Sequence, residues 1–224
     1  MRIAAMIAAA LLVAGCSHGT GGRSEPTGST TQTSTGPGAP GNKSPGPSAA
    51  PVAGAAIFDV IAWIEAGHPA DPSRFHTATR DGATTSLGDD IALTAMAGKV
   101  SCMTDAKHTG AALACLVSLT NPPPAPATAY GQWQGGWISF DGMNLQVGSA
   151  RADPGPFING NGPELANGDS LSFGDYRCRA DQAGLYCVDY AHQSAVKLSP
   201  GGIEPFGCLK STPPPDGVGT AFSC

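Results

Sequence analysis

Residues 91–120, IALTAMAGKVSCMTDAKHTGAALACLVSLT, decide the fold. Apolar and polar side chains alternate here with a period of two, which predicts three β-strands. The predicted strands cover residues 91–95, 99–104 and 113–120. Cys102 and Cys115 then lie on neighbouring antiparallel strands, where directly opposed Cα atoms are about 4.5 to 5.5 Å apart, a distance that a disulfide can bridge. The stretch therefore predicts an antiparallel hairpin closed by a disulfide.

The same arrangement recurs in residues 170–189, which predict a second cysteine hairpin. The predicted strands cover residues 170–173, 176–179 and 185–189. Ala183-Gly184 supplies the turn between Cys178 and Cys187. Because the two hairpins follow similar plans, an internal duplication that gives two similar halves is one hypothesis for this domain.

The rest of the folded region predicts one helix and further strands. Isoleucine and valine recur at helical spacing in residues 55–66, which predicts an amphipathic helix. Residues 71–88 show little periodicity, and we interpret them mostly as a loop. Asp141-Gly142 predicts a hairpin turn between strands at residues 137–140 and 143–147.

Composition agrees with a turn-rich domain. The chain of 224 residues contains 31 glycines and 20 prolines, which favour turns over long helices. We expect a mainly β fold with a minor α component, namely a small disulfide-stapled antiparallel β domain with one N-terminal amphipathic helix, over residues 52–224. The net charge of −5 offers no basic face, so we expect no nucleic-acid partner.

The cysteine count predicts three disulfides. Apart from Cys16, the chain has six cysteines, and six allow fifteen pairings. We predict that sequence neighbours pair. Zinc binding is the alternative, but the spacings include no C-x2-C pair and no nearby histidine pair, so we expect no metal. The predicted pairs are Cys102 with Cys115, Cys178 with Cys187, and Cys208 with Cys224.

The first sixteen residues predict secretion and a lipid anchor. Arg2 precedes an apolar run that is too short to cross a membrane, and Val13-Ala14-Gly15 ends in small residues before Cys16. We interpret residues 1–15 as a signal peptide. The site resembles the lipobox of bacterial lipoproteins, in which the cysteine thiol takes a diacylglycerol. This resemblance implies that Cys16 is lipidated and holds the chain on the extracytoplasmic face of the cell membrane. The alternative is an ordinary secretory signal that leaves Cys16 as a free thiol.

Residues 16–51 predict a disordered tether. From residue 17 to residue 51, 26 of the 35 residues are Gly, Pro, Ser or Thr. Such a segment cannot bury enough apolar surface to offset the entropy of ordering it. As a flexible coil it spans roughly 30 to 35 Å on average. The tether would therefore hold the folded domain away from the membrane surface.

Three segments carry a resemblance to a known family. They are residues 91–102 (IALTAMAGKVSC), 171–178 (LSFGDYRC) and 184–187 (GLYC). Together they resemble a family of secreted actinobacterial Cys-hairpin domains, and the lipobox and tether make the whole chain similar to mycobacterial lipoproteins with such a domain. The resemblance implies the extracytoplasmic address and the disulfide plan. It implies no activity, because the family has none that is established.

Binding is the function class that the sequence favours. Tyr130, Trp133 and Trp137 cluster in a glycine-rich segment, where exposed aromatic rings could stack on sugars or hold an acyl chain. We therefore expect a non-catalytic binding or scaffolding module whose partner is an envelope glycan, lipid or protein, and we expect no cofactor. The alternative for Trp133 and Trp137 is a structural role in the core.

A hydrolase that acts on envelope glycans or esters is the second function class. The chain has no G-x-S-x-G, S-x-x-K or H-E-x-x-H motif, so we assign no catalytic residue. His76 and His192 are the candidate bases, with Asp71 and Asp189 as possible carboxylate partners. Nothing in the spacing requires these groups to meet.

Overall fold

The computed structural model describes residues 49–224. The signal peptide, Cys16 and nearly all of the tether lie outside the described residues, so their predicted roles stay predictions. The described elements are, in chain order, α1 Ile57–Glu65, β1 His68–Pro69, a 3-10 helix Pro72–Phe75, β2 Thr77–Arg80, β3 Ala83–Ser86, β4 Ala92–Ala95, β5 Val100–Asp105, α2 Ala106–Thr109, β6 Gly110–Val117, β7 Gln132–Phe140, β8 Asn144–Arg151, a second 3-10 helix Gly155–Asn159, β9 Asp169–Phe173, β10 Tyr176–Asp181, β11 Gly184–Asp189, β12 Ser194–Ser199, β13 Gly202–Phe206, β14 Lys210–Thr212 and β15 Val218–Ser223.

The strands form two large sheets and one small one. The seven-stranded sheet has the order β14-β15-β8-β7-β6-β5-β4, and the six-stranded sheet has the order β1-β9-β10-β11-β12-β13. The described pairs are antiparallel except for β1, which runs parallel to β9. The small sheet is the β2–β3 hairpin. The prediction of a mainly β, disulfide-stapled fold with one early amphipathic helix is confirmed.

The inner faces of the two large sheets share one hydrophobic core. A contact across this core joins β7 to β10, since the Tyr176 hydroxyl donates a 3.0 Å hydrogen bond to the Phe140 carbonyl and the two rings lie 5.9 Å apart. Burial raises the pKa of this phenol well above its ordinary value. The strands alternate between inward apolar side chains and outward ones, which explains the period-two pattern of the sequence.

In each large sheet, four core side chains on neighbouring strands lie in one row, and the middle two are the cysteines of a disulfide. Two of the predicted disulfides lie at directly opposed positions, Cys102 with Cys115 and Cys178 with Cys187, with Cα atoms 4.1 and 4.0 Å apart. In the seven-stranded sheet the row runs Leu93, Cys102, Cys115, Ile138, and in the six-stranded sheet it runs Leu171, Cys178, Cys187, Val196. The third disulfide joins Cys208 to Cys224, with Cα atoms 4.8 Å apart. The two halves therefore share a plan of strands and sulfurs.

The outer face of the six-stranded sheet is covered by α1. Val60, Trp63 and Ile64 are buried against this sheet, where Trp63 lies 4.7 Å from the ring of Tyr186. The Arg179 guanidinium also stacks on the Trp63 ring at 3.9 Å and donates a hydrogen bond to the Trp63 carbonyl. The helix is two residues shorter at its start and one shorter at its end than predicted.

The outer face of the seven-stranded sheet is covered by irregular chain and by the β2–β3 hairpin. Ala78 of β2 and Phe157 of the second 3-10 helix pack against Met103 and Trp137. The prediction that residues 71–88 are mostly loop is wrong, because they form a 3-10 helix and this hairpin. The β3 side chains are all exposed, so the strand has no apolar alternation to reveal it. Within residues 49–224, no helix is both long enough and apolar enough to cross a bilayer.

Candidate binding site

Two neighbouring cavities lie on the outer face of the seven-stranded sheet. The chain leaves β8 at Arg151 and turns at once, because the Asp153 carboxylate accepts a 2.7 Å hydrogen bond from the Gly155 amide. The second 3-10 helix then packs across the sheet, where the Phe157 ring meets Trp137 edge-on at 5.5 Å. This turn leaves a depression on each side of Arg151.

The larger cavity has a volume of about 720 Å³. It lies between the end of β3, the β5–α2 segment and the second 3-10 helix. Apolar side chains make part of its surface, and these are Leu87, Met103, Pro154, Pro156 and Ile158. A cavity of this size is within the range of about 300 to 1,000 Å³ that is usual for small-molecule sites.

The polar wall of the larger cavity is fixed by hydrogen bonds among its own residues. One Asp90 carboxylate oxygen accepts from the Thr104 hydroxyl and from the Ala106 amide, each at 2.9 Å. The Asp105 carboxylate caps α2, and both of its oxygens lie 2.9 Å from His108 Nδ1. Because these carboxylates are already oriented, a ligand meets them without further ordering.

The smaller cavity has a volume of about 290 Å³ and adjoins the larger one. Its remaining surface comes from Leu116, Gln132, Gln134, Trp137 and Ala152. Arg151, Asp153 and Pro154 line both cavities. These three residues therefore form a ridge between two depressions.

Arg151 is held on this ridge by an aromatic ring. Its guanidinium carbon lies 3.9 Å from the centre of the Trp137 ring, a distance typical of a cation–π contact. Gly155 lies against both side chains, since a Cβ built there would be 3.0 Å from Arg151 Nη2 and 3.1 Å from Trp137. The ring and the glycine together fix the plane of the guanidinium, which presents five N–H donors in a rigid fork.

The three aromatic residues that the sequence singled out have different environments. Tyr130 is 96% exposed, whereas Trp137 is 5% exposed and lies beneath Arg151. Trp133 is half-buried and donates a 3.1 Å hydrogen bond from Nε1 to the Pro123 carbonyl. Of the three, only Trp137 lines either of these two cavities, and its ring is covered by the Arg151 guanidinium. The packing alternative therefore describes Trp137.

Each candidate base is held through its Nδ1 atom. His192 Nδ1 lies 2.9 Å from the carboxylate of Asp189, and the same oxygen accepts from the His192 amide, so the pair closes a turn. His76 Nδ1 lies 3.0 Å from the backbone carbonyl of Asp90. The predicted partner Asp71 instead accepts from the Ser73 amide, and hydrogen bonds from Ser73 lower the pKa of that carboxyl. In residues 49–224 no serine, threonine or cysteine side chain is hydrogen-bonded to a histidine ring.

The sequence did not single out the residues that build this site. Asp90, His108 and Arg151 line the larger cavity, and none of them belongs to a motif that the sequence displays. The part of the chain that the structure describes contains no group of three or more His, Cys, Asp or Glu residues placed to hold a metal ion. Comparison of the chain with protein-family models, curated proteins and solved structures gives no match. The three disulfides indicate an oxidising environment outside the cytoplasm.

Proposed function

We propose that this protein is a lipoprotein of the cell envelope whose folded domain is a non-catalytic binding module displayed outside the membrane. The observation that carries the binding role is the larger cavity, about 720 Å³ in volume, with an apolar surface and a prearranged polar wall. Sites for small ligands combine these two features, because apolar contact supplies affinity and a few fixed polar groups supply orientation.

The anchoring role is supported by the sequence before the domain. The small residues before Cys16 resemble a lipobox, and the Gly/Pro/Ser/Thr-rich segment that follows is typical of a disordered spacer. Two or more acyl chains hold a protein stably on a bilayer, since each buried methylene contributes about 0.8 kcal/mol. The disulfides require folding in an oxidising compartment, which agrees with this address.

The anchor is tested by replacing its acceptor. We expect the full chain, expressed in a lipoprotein-processing bacterium, to partition into the detergent phase and to incorporate labelled fatty acid. Cys16→Ala removes the thiol, so it should lose both properties. Ser17→Ala, which leaves the thiol in place, is the matched control. A Cys16→Ala variant that still carries label would contradict the lipidation.

The binding role is tested by blocking the cavity. Ile158, at the cavity surface, is 57% exposed, so Ile158→Arg should fill the cavity without disturbing the core. Val52→Arg is the matched control, because Val52 is 73% exposed and does not line the cavity. A library of soluble sugars, lipid headgroups and short peptides is screened by thermal unfolding. Some members should raise the melting temperature of the unmodified chain and of Val52→Arg, but not that of Ile158→Arg. If no member does so, or if Ile158→Arg responds equally, the cavity is not a binding site.

A hydrolase is the second candidate, and one observation favours it. The Asp105–His108 pair lies on the wall of the larger cavity, where the free ring nitrogen of His108 could act on a substrate as a general base. Hydrolysis of chromogenic esters or glycosides by the full chain, lost in His108→Gln, would support this candidate. Turnover that survives His108→Gln would exclude this pair as its base.

A further inference from the structure

The Arg151 side chain makes no hydrogen bond or ion pair that stabilises the described part of the fold. Among the hydrogen bonds and ion pairs of residues 49–224, none involves its guanidinium, although the group is half-buried and held in place on Trp137. A guanidinium that is fixed in orientation and keeps its donors free is prepared to bind a group with two adjacent acceptors. Its position on the ridge places those donors at the boundary of both cavities.

The charges around the ridge disfavour a charged ligand that spans both cavities, because such a ligand must pass Arg151 as well as the carboxylates. Asp90, Asp105 and Asp153 line the larger cavity and would repel an anion. Arg151 lies on the ridge and would repel a cation that crosses it. A neutral ligand meets no like charge, and it can accept from the guanidinium while donating to the carboxylates. The lining therefore favours a neutral molecule rich in both donors and acceptors.

The apolar residues of the larger cavity narrow the class of ligand further. Leu87, Met103, Pro156 and Ile158 give the larger cavity a surface that cannot hydrogen-bond through its side chains. A sugar ring presents C–H groups on one face and hydroxyl groups around its rim, so it can contact these residues and the polar wall together. Adjacent hydroxyl oxygens also match the spacing of a guanidinium fork.

We propose that the two cavities form one site for a neutral oligosaccharide, with a sugar unit in each cavity and Arg151 bound to the hydroxyl groups between them. This inference rests on the proposed binding function and names its ligand class. The shared residues Arg151, Asp153 and Pro154 make the cavities adjacent, so a linear ligand passes from one to the other over the ridge. A monosaccharide fills only one cavity.

The test measures how affinity depends on ligand length. The full chain is titrated calorimetrically with neutral glucose-, mannose-, galactose-, arabinose- and N-acetylglucosamine-based ligands, from monosaccharides to hexasaccharides. Affinity should rise at least tenfold from the monosaccharide to the disaccharide or trisaccharide of one series. Deacetylated cationic oligosaccharides, uronic-acid oligosaccharides and lysine-rich peptides should bind more weakly. Tighter binding of any of these charged probes, or no binding by any neutral series, would overturn the inference.

Variants on the ridge identify which contact supplies the gain. Arg151→Gln should weaken oligosaccharide binding about ten- to a hundredfold, because a hydrogen bond to a charged group is lost. Gln134→Ala, which alters only the smaller cavity, should weaken oligosaccharides and leave monosaccharides unchanged. Arg74→Gln, at an exposed arginine outside both cavities, is the matched control.

The outcomes separate this inference from the function on which it rests. If Ile158→Arg blocks a ligand of another class while no neutral oligosaccharide binds, the cavity is a binding site and the sugar assignment is wrong. If nothing binds at all, both proposals fail. Arg151→Gln also removes a contact with Trp137, so its melting temperature is measured as a check on folding. If Arg151→Gln does not fold, the Gln134→Ala result decides whether the two cavities form one site. Equal affinity of Gln134→Ala for every oligosaccharide would refute the two-cavity arrangement.

Discussion

Mild reduction of the native protein should open one disulfide and spare the other two. Cys208 and Cys224 are exposed, whereas the four cysteines of the core are at most 1% exposed. A reducing thiolate must reach a sulfur atom in line with the S–S bond, so access controls the rate. The Cys208–Cys224 disulfide should therefore react from the folded state, and the buried disulfides should react only after the domain opens.

The expected energies follow from loop closure and burial. Cys208 and Cys224 are 16 residues apart, and the entropy of closing such a loop corresponds to about 3 kcal/mol of stability. A domain of this kind has a total stability of about 5 to 15 kcal/mol, so it should stay folded after this loss. If about 5 kcal/mol remains, the buried disulfides react roughly a thousandfold or more slowly than exposed ones.

The assay is a time course with a dithiol reductant, quenched by an alkylating agent and resolved by peptide mass spectrometry. Cys208 and Cys224 should be alkylated first, without loss of the folded-state spectrum. A double variant, Cys208→Ser with Cys224→Ser, should lack this fast phase. Its free energy of unfolding, measured by urea titration, should be about 3 kcal/mol lower. Alkylation of Cys102 or Cys178 as early as Cys208, or the appearance of all six thiols together, would refute the reasoning from burial.

Three further predictions concern packing and pH. Gly162→Ala should destabilise the domain by more than about 1 kcal/mol in urea titrations, because a Cβ there would overlap the backbone of Ala92. Gly201→Ala is the control. A Cβ at Gly201 meets no atom closer than 3.7 Å, so this variant should change stability by less than about 0.5 kcal/mol. Trp63→Ala should cost about 3 to 5 kcal/mol, measured in the same way, since it empties the contact between α1 and the six-stranded sheet. Burial raises the pKa of Tyr186 to about 12 in the folded domain, so the Tyr186 phenol of the unfolded chain ionises at a lower pH. The urea midpoint should therefore fall as pH rises from about 10 to about 12. The Tyr186→Phe variant should show a smaller fall.

Local patterns in the sequence were enough to predict the hairpins. Period-two alternation and cysteine spacing are set by neighbouring residues, and both disulfide hairpins formed where those signals placed them. The β2–β3 hairpin was missed because its second strand is exposed on both faces and its stability depends on turn and backbone geometry. Its turn is formed by Asp81 and Gly82, which adopt the positive φ angles of 51° and 82° that a tight hairpin uses.

The candidate site could not be predicted from local pattern. Asp90, His108 and Arg151 belong to three different segments, and only the packing of the second 3-10 helix on the sheet brings them around one cavity. The environment of Trp137 could not be predicted for a related reason. Two glycines precede it in the sequence, but in space Arg151 stacks on its ring and Phe157 packs against it.

The pairing of β15 has a consequence for how the chain is delivered. β15 lies between β14 and β8, so residues near position 220 complete a sheet that begins near position 92. During vectorial synthesis or export, β8 would present an open edge until those late residues emerge, and open edges pair readily with other chains. Chains that lack β15 should therefore associate with one another more readily than chains in which β15 has paired with β8.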